Sequence, residues 1–123
     1  MATRPKHLNL LQIRLPMPGL VSILHRVSGA ALFFALPLLL YWLQQSLAAA
    51  DTWEATRAWF RNGFVKLIVL GLVWAYFHHL LAGIRHLAMD VDFALDLPSA
   101  RLTSALVLFG GILLTVIAGV LLW

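Results

Sequence analysis

The sequence predicts an all-α membrane protein with three transmembrane helices, and three observations predict it. Of the 123 residues, 62% are apolar and only 11% are charged. Soluble domains run at about 45–50% and about 25%. Three apolar stretches each reach the roughly 20 residues that a helix needs to cross a bilayer. The charged residues gather at the ends of those stretches and between them, where Lys and Arg mark membrane boundaries. Residues 1–123 leave room for one small membrane domain and not for two.

The first span runs from residue 20 to 47, the second from 64 to 87 and the third from 102 to 123. Each is a helix, because a lone segment in lipid must satisfy its own backbone hydrogen bonds. Pro37 predicts a kink in the first span, not a break. The first connection holds Asp51, Glu54, Arg57, Arg61 and Asn62 and is expected to be a short polar loop. The second holds Asp90, Asp92, Asp96, Pro98, Ser99 and Arg101. Its aspartates and proline predict a turn and a new helix start, with Ser99 as N-cap.

Charge sets the expected orientation. Arg4, Lys6, Arg14, Arg26, Arg85 and Arg101 lie on the N-terminal side of the bilayer; Arg57, Arg61 and Lys66 lie on the other. The positive-inside rule then predicts a cytoplasmic N-terminus, with residues 1–19 as a cytoplasmic segment. The polar start lacks a signal-peptide pattern and an Arg/Ser-rich presequence, which favours a bacterial inner membrane over a mitochondrial one. The net charge of +4 is scattered, so nucleic acid is not the expected partner. With no cysteine, the chain itself excludes disulfides, cysteine-ligated iron–sulfur clusters, c-type haem attachment and thiol catalysis.

The informative residues are polar ones at membrane depth. The first span opens Ser22-Ile23-Leu24-His25-Arg26-Val27-Ser28-Gly29. Ser22, Arg26 and Gly29 share a helix face, with His25 beside them. The second span ends in a stripe of His79, Gly83, His86 and Asp90, with His78, Ala82 and Arg85 on a neighbouring stripe. At 1.5 Å per residue, His79 lies about 12 Å inside Leu87. Spans one and two run antiparallel, so His25, Arg26, His79, Arg85, His86 and Asp90 are expected to gather near the cytoplasmic face.

Each residue also has a plain structural reading. Arg26 and Arg85 fit as snorkelling anchors. His78 fits as a packed histidine, and His79 serves equally as ligand or packed polar group. Gly83 fits as a helix-contact glycine. The Trp and Tyr residues fit the interfacial belt. Six polar groups gathered toward one face point beyond packing, because ionisable residues inside a span are costly and usually functional. No hydrolase-type nucleophile–base pair and no phosphate-cradling loop is present. A neutral membrane histidine suits haem iron. Arg and His near the surface suit haem propionates, and a Ser hydroxyl with an Arg suits quinone carbonyl oxygens.

Two motifs then carry a resemblance. Residues 22–29 read Ser-x-x-His-Arg-x-Ser-Gly, and residues 79–90 read His-x-x-x-Gly-x-Arg-His-x-x-x-Asp. With Arg4-Pro5 and His7-Leu8 near the start, the whole chain resembles the cytochrome b membrane-anchor subunit of succinate dehydrogenase, respiratory complex II. The N-terminal match is partial, since the fuller Arg-Pro-x-Ser-Pro-His-Leu is incomplete.

The resemblance implies half of a heterodimeric membrane-anchor bundle, completed by a second small three-helix subunit. It implies a flavoprotein subunit carrying FAD, where succinate is oxidised, and an iron–sulfur subunit that passes electrons to ubiquinone. It makes His79 an axial ligand of haem b, with the other axial histidine from the second anchor subunit. It puts Ser22 and Arg26 in the quinone pocket and His25, Arg26 and His86 near the propionates. Arg85 and Asp90 take supporting roles at the cytoplasmic edge. His78 is the rival ligand, but it points about 100° away around the helix, and Gly83 lies on the His79 side. The competing functions are a non-redox scaffold or assembly subunit, a fumarate reductase anchor, and a small proton or ion carrier.

Overall fold

A computed structural model describes residues 15–123. Arg4, Lys6 and Arg14 of the charge argument, the Arg4-Pro5 and His7-Leu8 pairs, and most of the expected cytoplasmic segment lie outside the described residues. Four helices follow in order: α1 (Met17–Ala48), α2 (Ala50–Arg61), α3 (Gly63–Asp90) and α4 (Leu97–Leu122). Three of them, α1, α3 and α4, are long and apolar enough to cross a membrane. The described residues contain no strand.

Helix α1 begins with Pro18 in its first turn, where a missing N–H costs nothing, and it continues through Pro37. Helix α3 packs against both α1 and α4, which makes it the central element. The packed core is small: Val21 of α1, Ala82 of α3 and Val107 of α4 meet, with Leu81 and Leu108 against them. Most large apolar side chains point outward instead, such as Phe34 at 77% and Leu121 at 80% exposure. In lipid that is the expected arrangement, because hydrocarbon solvates Leu and Phe as well as a protein core does. Close approach of small residues drives association there. A Cβ at Gly111 would stand 3.5 Å from the α3 backbone at His78, and one at Gly119 would stand 3.1 Å from Leu70. The hydroxyls of Ser104 and Thr115 donate to carbonyls of their own helix, at 2.6 and 2.7 Å, so neither is left unpaired at depth.

The first connection is not the loop the sequence predicts. It is the amphipathic helix α2, joined to its neighbours by single non-helical residues, Ala49 and Asn62. Thr52 closes its start: its hydroxyl accepts from the Ala49 N–H at 3.1 Å and donates to the Ala49 carbonyl at 2.9 Å. Asp51 in the first turn and Arg61 in the last complement the helix dipole. Thr56 is buried, and Phe60 meets Trp42 of α1 edge-on at 5.1 Å. Asn62 then caps α3, its side-chain oxygen accepting from Phe64 at 2.9 Å and Val65 at 3.4 Å. At this same end the Lys66 ammonium lies 5.5 Å over the Trp123 ring, tying α3 to the end of α4.

At the opposite end α3 stops in a Schellman turn. Phe93 N–H donates to the Ala88 carbonyl and Asp92 N–H to the Met89 carbonyl, both at 3.0 Å. Asp92 takes the left-handed position usually held by glycine, at φ 60°, and Ala94 follows at 59°. The new helix starts one turn earlier than predicted. Asp96, not Ser99, is the N-cap: its carboxylate accepts from the Ser99 N–H at 3.1 Å. That bond holds the Asp96 carboxyl below the usual carboxylate range.

Candidate functional site: a histidine seam between α1 and α3

Antiparallel α1 and α3 bring the start of one beside the end of the other. There His25 and His79 stack, with ring centroids 4.1 Å apart and planes 24° apart. His86, two turns further along α3, lies 5.0 Å from His25. All three rings are half-buried.

The seam works by exchange. His25 and Gly29 are one turn apart on α1, and His79 and Gly83 are one turn apart on α3. Each histidine lies over the other helix's glycine. A Cβ at Gly29 would stand 2.7 Å from His79 Cε1, closer than real Cβ atoms come, so the ring would have to move. A Cβ at Gly83 would stand 3.8 Å from His25 Nε2, an ordinary contact.

Hydrogen bonds fix the His79 ring. Its Nδ1 lies 3.0 Å from the His25 backbone carbonyl oxygen and 3.3 Å from the Ser28 hydroxyl. A carbonyl only accepts, so Nδ1 carries the proton and donates. In the neutral tautomer the lone pair is on Nε2. A single histidine with one nitrogen tied to backbone and the other left basic is the usual state of a metal-ligating imidazole. Among the described residues no three His, Asp or Glu side chains gather to chelate an ion. The Nε2 of His79 is a donor of the kind that haem iron takes.

The remaining expected residues separate. His78 is fully buried on the other side of α3, stacked on Trp74 at 5.2 Å and packed on Gly111 of α4. Neither of its ring nitrogens has a hydrogen-bond partner, although the Val21 backbone approaches it. Arg85 shares that stripe. It is 8% exposed, and its Nε donates to Thr103 Oγ1 of α4 at 3.0 Å. It thus faces α4, away from the rings that the depth argument grouped it with. Ser22 is half-buried, and Arg26 and Asp90 are exposed at the same end of the bundle. The sequence motif contains Ser28 and Gly29 but gives no role to either. The only signal was their place one turn from His25. An apolar cavity of about 540 Å³ lies at the far end, between α1, α2 and α3 and lined by Tyr41, Trp42, Thr56 and Trp59; it is remote from the histidines.

The fold defines a multi-span α-helical membrane protein, with the histidine seam toward one end of its bundle. Comparison with known proteins narrows this class. Residues 2–118 match the family described as succinate dehydrogenase/fumarate reductase transmembrane subunit. The chain belongs to that family and is therefore a membrane subunit of an oxidoreductase complex. It is 37% identical to the succinate dehydrogenase cytochrome b556 subunit of Coxiella burnetii over 123 residues, covering 99% of this chain and 98% of that one. The subunit of the same name from Rickettsia felis is 34% identical over 98% of this chain and 90% of its own. That from Paracoccus denitrificans is 31% identical over 93% and 88%.

Proposed function

We propose that this chain is the cytochrome b anchor of a succinate:ubiquinone oxidoreductase, holding haem b jointly with a second small membrane subunit. The observation that carries the reading is the His79 ring, with Nδ1 tied to the α1 backbone and Nε2 left basic inside a membrane bundle. The names of the relatives, cytochrome b556 subunits of succinate dehydrogenase, support it.

His79 Nε2 would hold the haem iron, together with a histidine of the second anchor subunit. Haem b, when bound, would supply one-electron transfer. His25, His86 and Arg26 present N–H donors to its propionates. Ser22 and Arg26 donate to the carbonyl oxygens of ubiquinone, whose tail lies in lipid. Arg85 holds α4 against α3 through Thr103, and Asp90 takes a supporting role at the cytoplasmic edge. Succinate is oxidised at FAD on a flavoprotein subunit, and electrons arrive through an iron–sulfur subunit. The whole chain forms one anchor domain in a bacterial inner membrane with its N-terminus in the cytoplasm.

The test is a reduced-minus-oxidised optical spectrum of the purified complex, wild type and His79→Ala. Loss of a b-type haem signal in the variant is the expected result. Unchanged haem would remove His79 as ligand, and a flat wild-type spectrum in an intact complex would leave a scaffold. Arg26→Leu is expected to raise the apparent KM for quinone while succinate oxidation with an artificial acceptor persists.

A further inference from the structure

We propose that Ser28 and Gly29 are positioning residues for the ligating nitrogen of His79, acting through the backbone carbonyl of His25. The inference rests on the reading of His79 as a haem ligand.

In an α-helix the carbonyl of residue i points toward residue i+4. The residue that would cover the His25 carbonyl is therefore residue 29. It is glycine, and the His79 ring occupies the space its side chain would fill: the absent Cβ would stand 2.7 Å from Cε1 and 3.2 Å from Nδ1. This gap lets Nδ1 reach the carbonyl at 3.0 Å.

Ser28 completes the arrangement. Its hydroxyl donates to the same carbonyl at 2.9 Å, which leaves its oxygen free to share the Nδ1 proton at 3.3 Å. Ser28 is 2% exposed, so water does not compete. Two acceptors at Nδ1–H fix one tautomer and strengthen Nε2 as an electron donor to iron. A stronger donor would favour ferric over ferrous iron, so the pair sets both the ring's position and the potential. Gly83 lacks this role, since a Cβ there makes only ordinary contact.

The experiment uses the assembled complex in detergent, with flavin and iron–sulfur content as the check on assembly. Ser28→Ala is expected to keep its haem and shift the midpoint potential to more positive values. Ser28→Thr, which keeps the hydroxyl, is expected to return it toward wild type. Gly29→Ala is expected to lower haem content about tenfold or more. Gly71→Ala, where a Cβ meets nothing within 4 Å, is expected to keep it. An unchanged potential in Ser28→Ala, or full haem content in Gly29→Ala, overturns the inference. Full haem content in His79→Ala overturns the reading beneath it instead. If Ser28→Ala fails to assemble, Ser28→Cys, a poorer acceptor, is read in its place with the same expected direction.

Discussion

Two neighbouring histidines on one helix meet two different fates. His79 faces α1 across Gly29, half-buried, with one nitrogen tied to backbone. His78 faces α4 across Gly111, fully buried, with both nitrogens unpaired. Both seams use a glycine to bring a histidine close, so the glycine alone does not make a ligand site. The difference lies in satisfaction and access. A ligand needs one nitrogen anchored and the other reachable. The α1–α3 seam gives His79 both, while the α3–α4 seam gives His78 neither.

The most direct way to break this contrast is to exchange the losses. His79→Ala should abolish the haem signal, whereas His78→Phe should keep it. His78→Phe should also leave the thermal midpoint of the complex equal or higher, because it removes two unpaired buried polar atoms. Haem loss in His78→Phe with the complex assembled would reverse the assignment.

A smaller effect probes the packed seam. Thr103→Val removes the acceptor that meets Arg85 Nε at 3.0 Å. A hydrogen bond to a charged group contributes about 1.5–3 kcal/mol, so detergent unfolding should move by about that amount with haem content unchanged. Coupled loss of haem would show that the two seams are not independent.

The smallest effect lies at the start of α4. The Asp96 carboxyl is held low by its bond to Ser99. A depressed carboxylate contributes stability that is fully present above its unfolded-state range and is lost as pH falls through the lower folded value. Melting curves should therefore decline on acidification below the usual carboxylate range. Asp96→Asn should flatten that slope without changing the neutral-pH spectrum.

Much of this was legible in the residues. Three spans follow from apolar length alone. The stripes were legible too: period 3.6 already sets His79 with Gly83 and His78 with Arg85. The grouping of Arg85 with the rings fails because it used depth without azimuth; equal depth on a helix does not mean the same neighbour. Helix α2 escapes a search for spans because it is 12 residues long and amphipathic, a pattern that polar composition hides. Asp96 outcompetes Ser99 as cap because Leu97 and Pro98 fill the first turn, where proline fits. Ser28 and Gly29 stand in the motif one turn from His25, but their role depends on a carbonyl, and a sequence does not display carbonyl directions.

The single-residue joints at Ala49 and Asn62 make α1 and α3 the two arms of a clothes peg, sprung at α2 and gripping at the histidines. From Gly63 to His79 the arm measures about 24 Å at 1.5 Å per residue. On that lever a splay of about 2° separates the jaws by about 1 Å, enough to part His79 from the His25 carbonyl. A lock one bond wide thus depends on the Val21–Ala82 packing beside it as well as on the stiffness of the far corner.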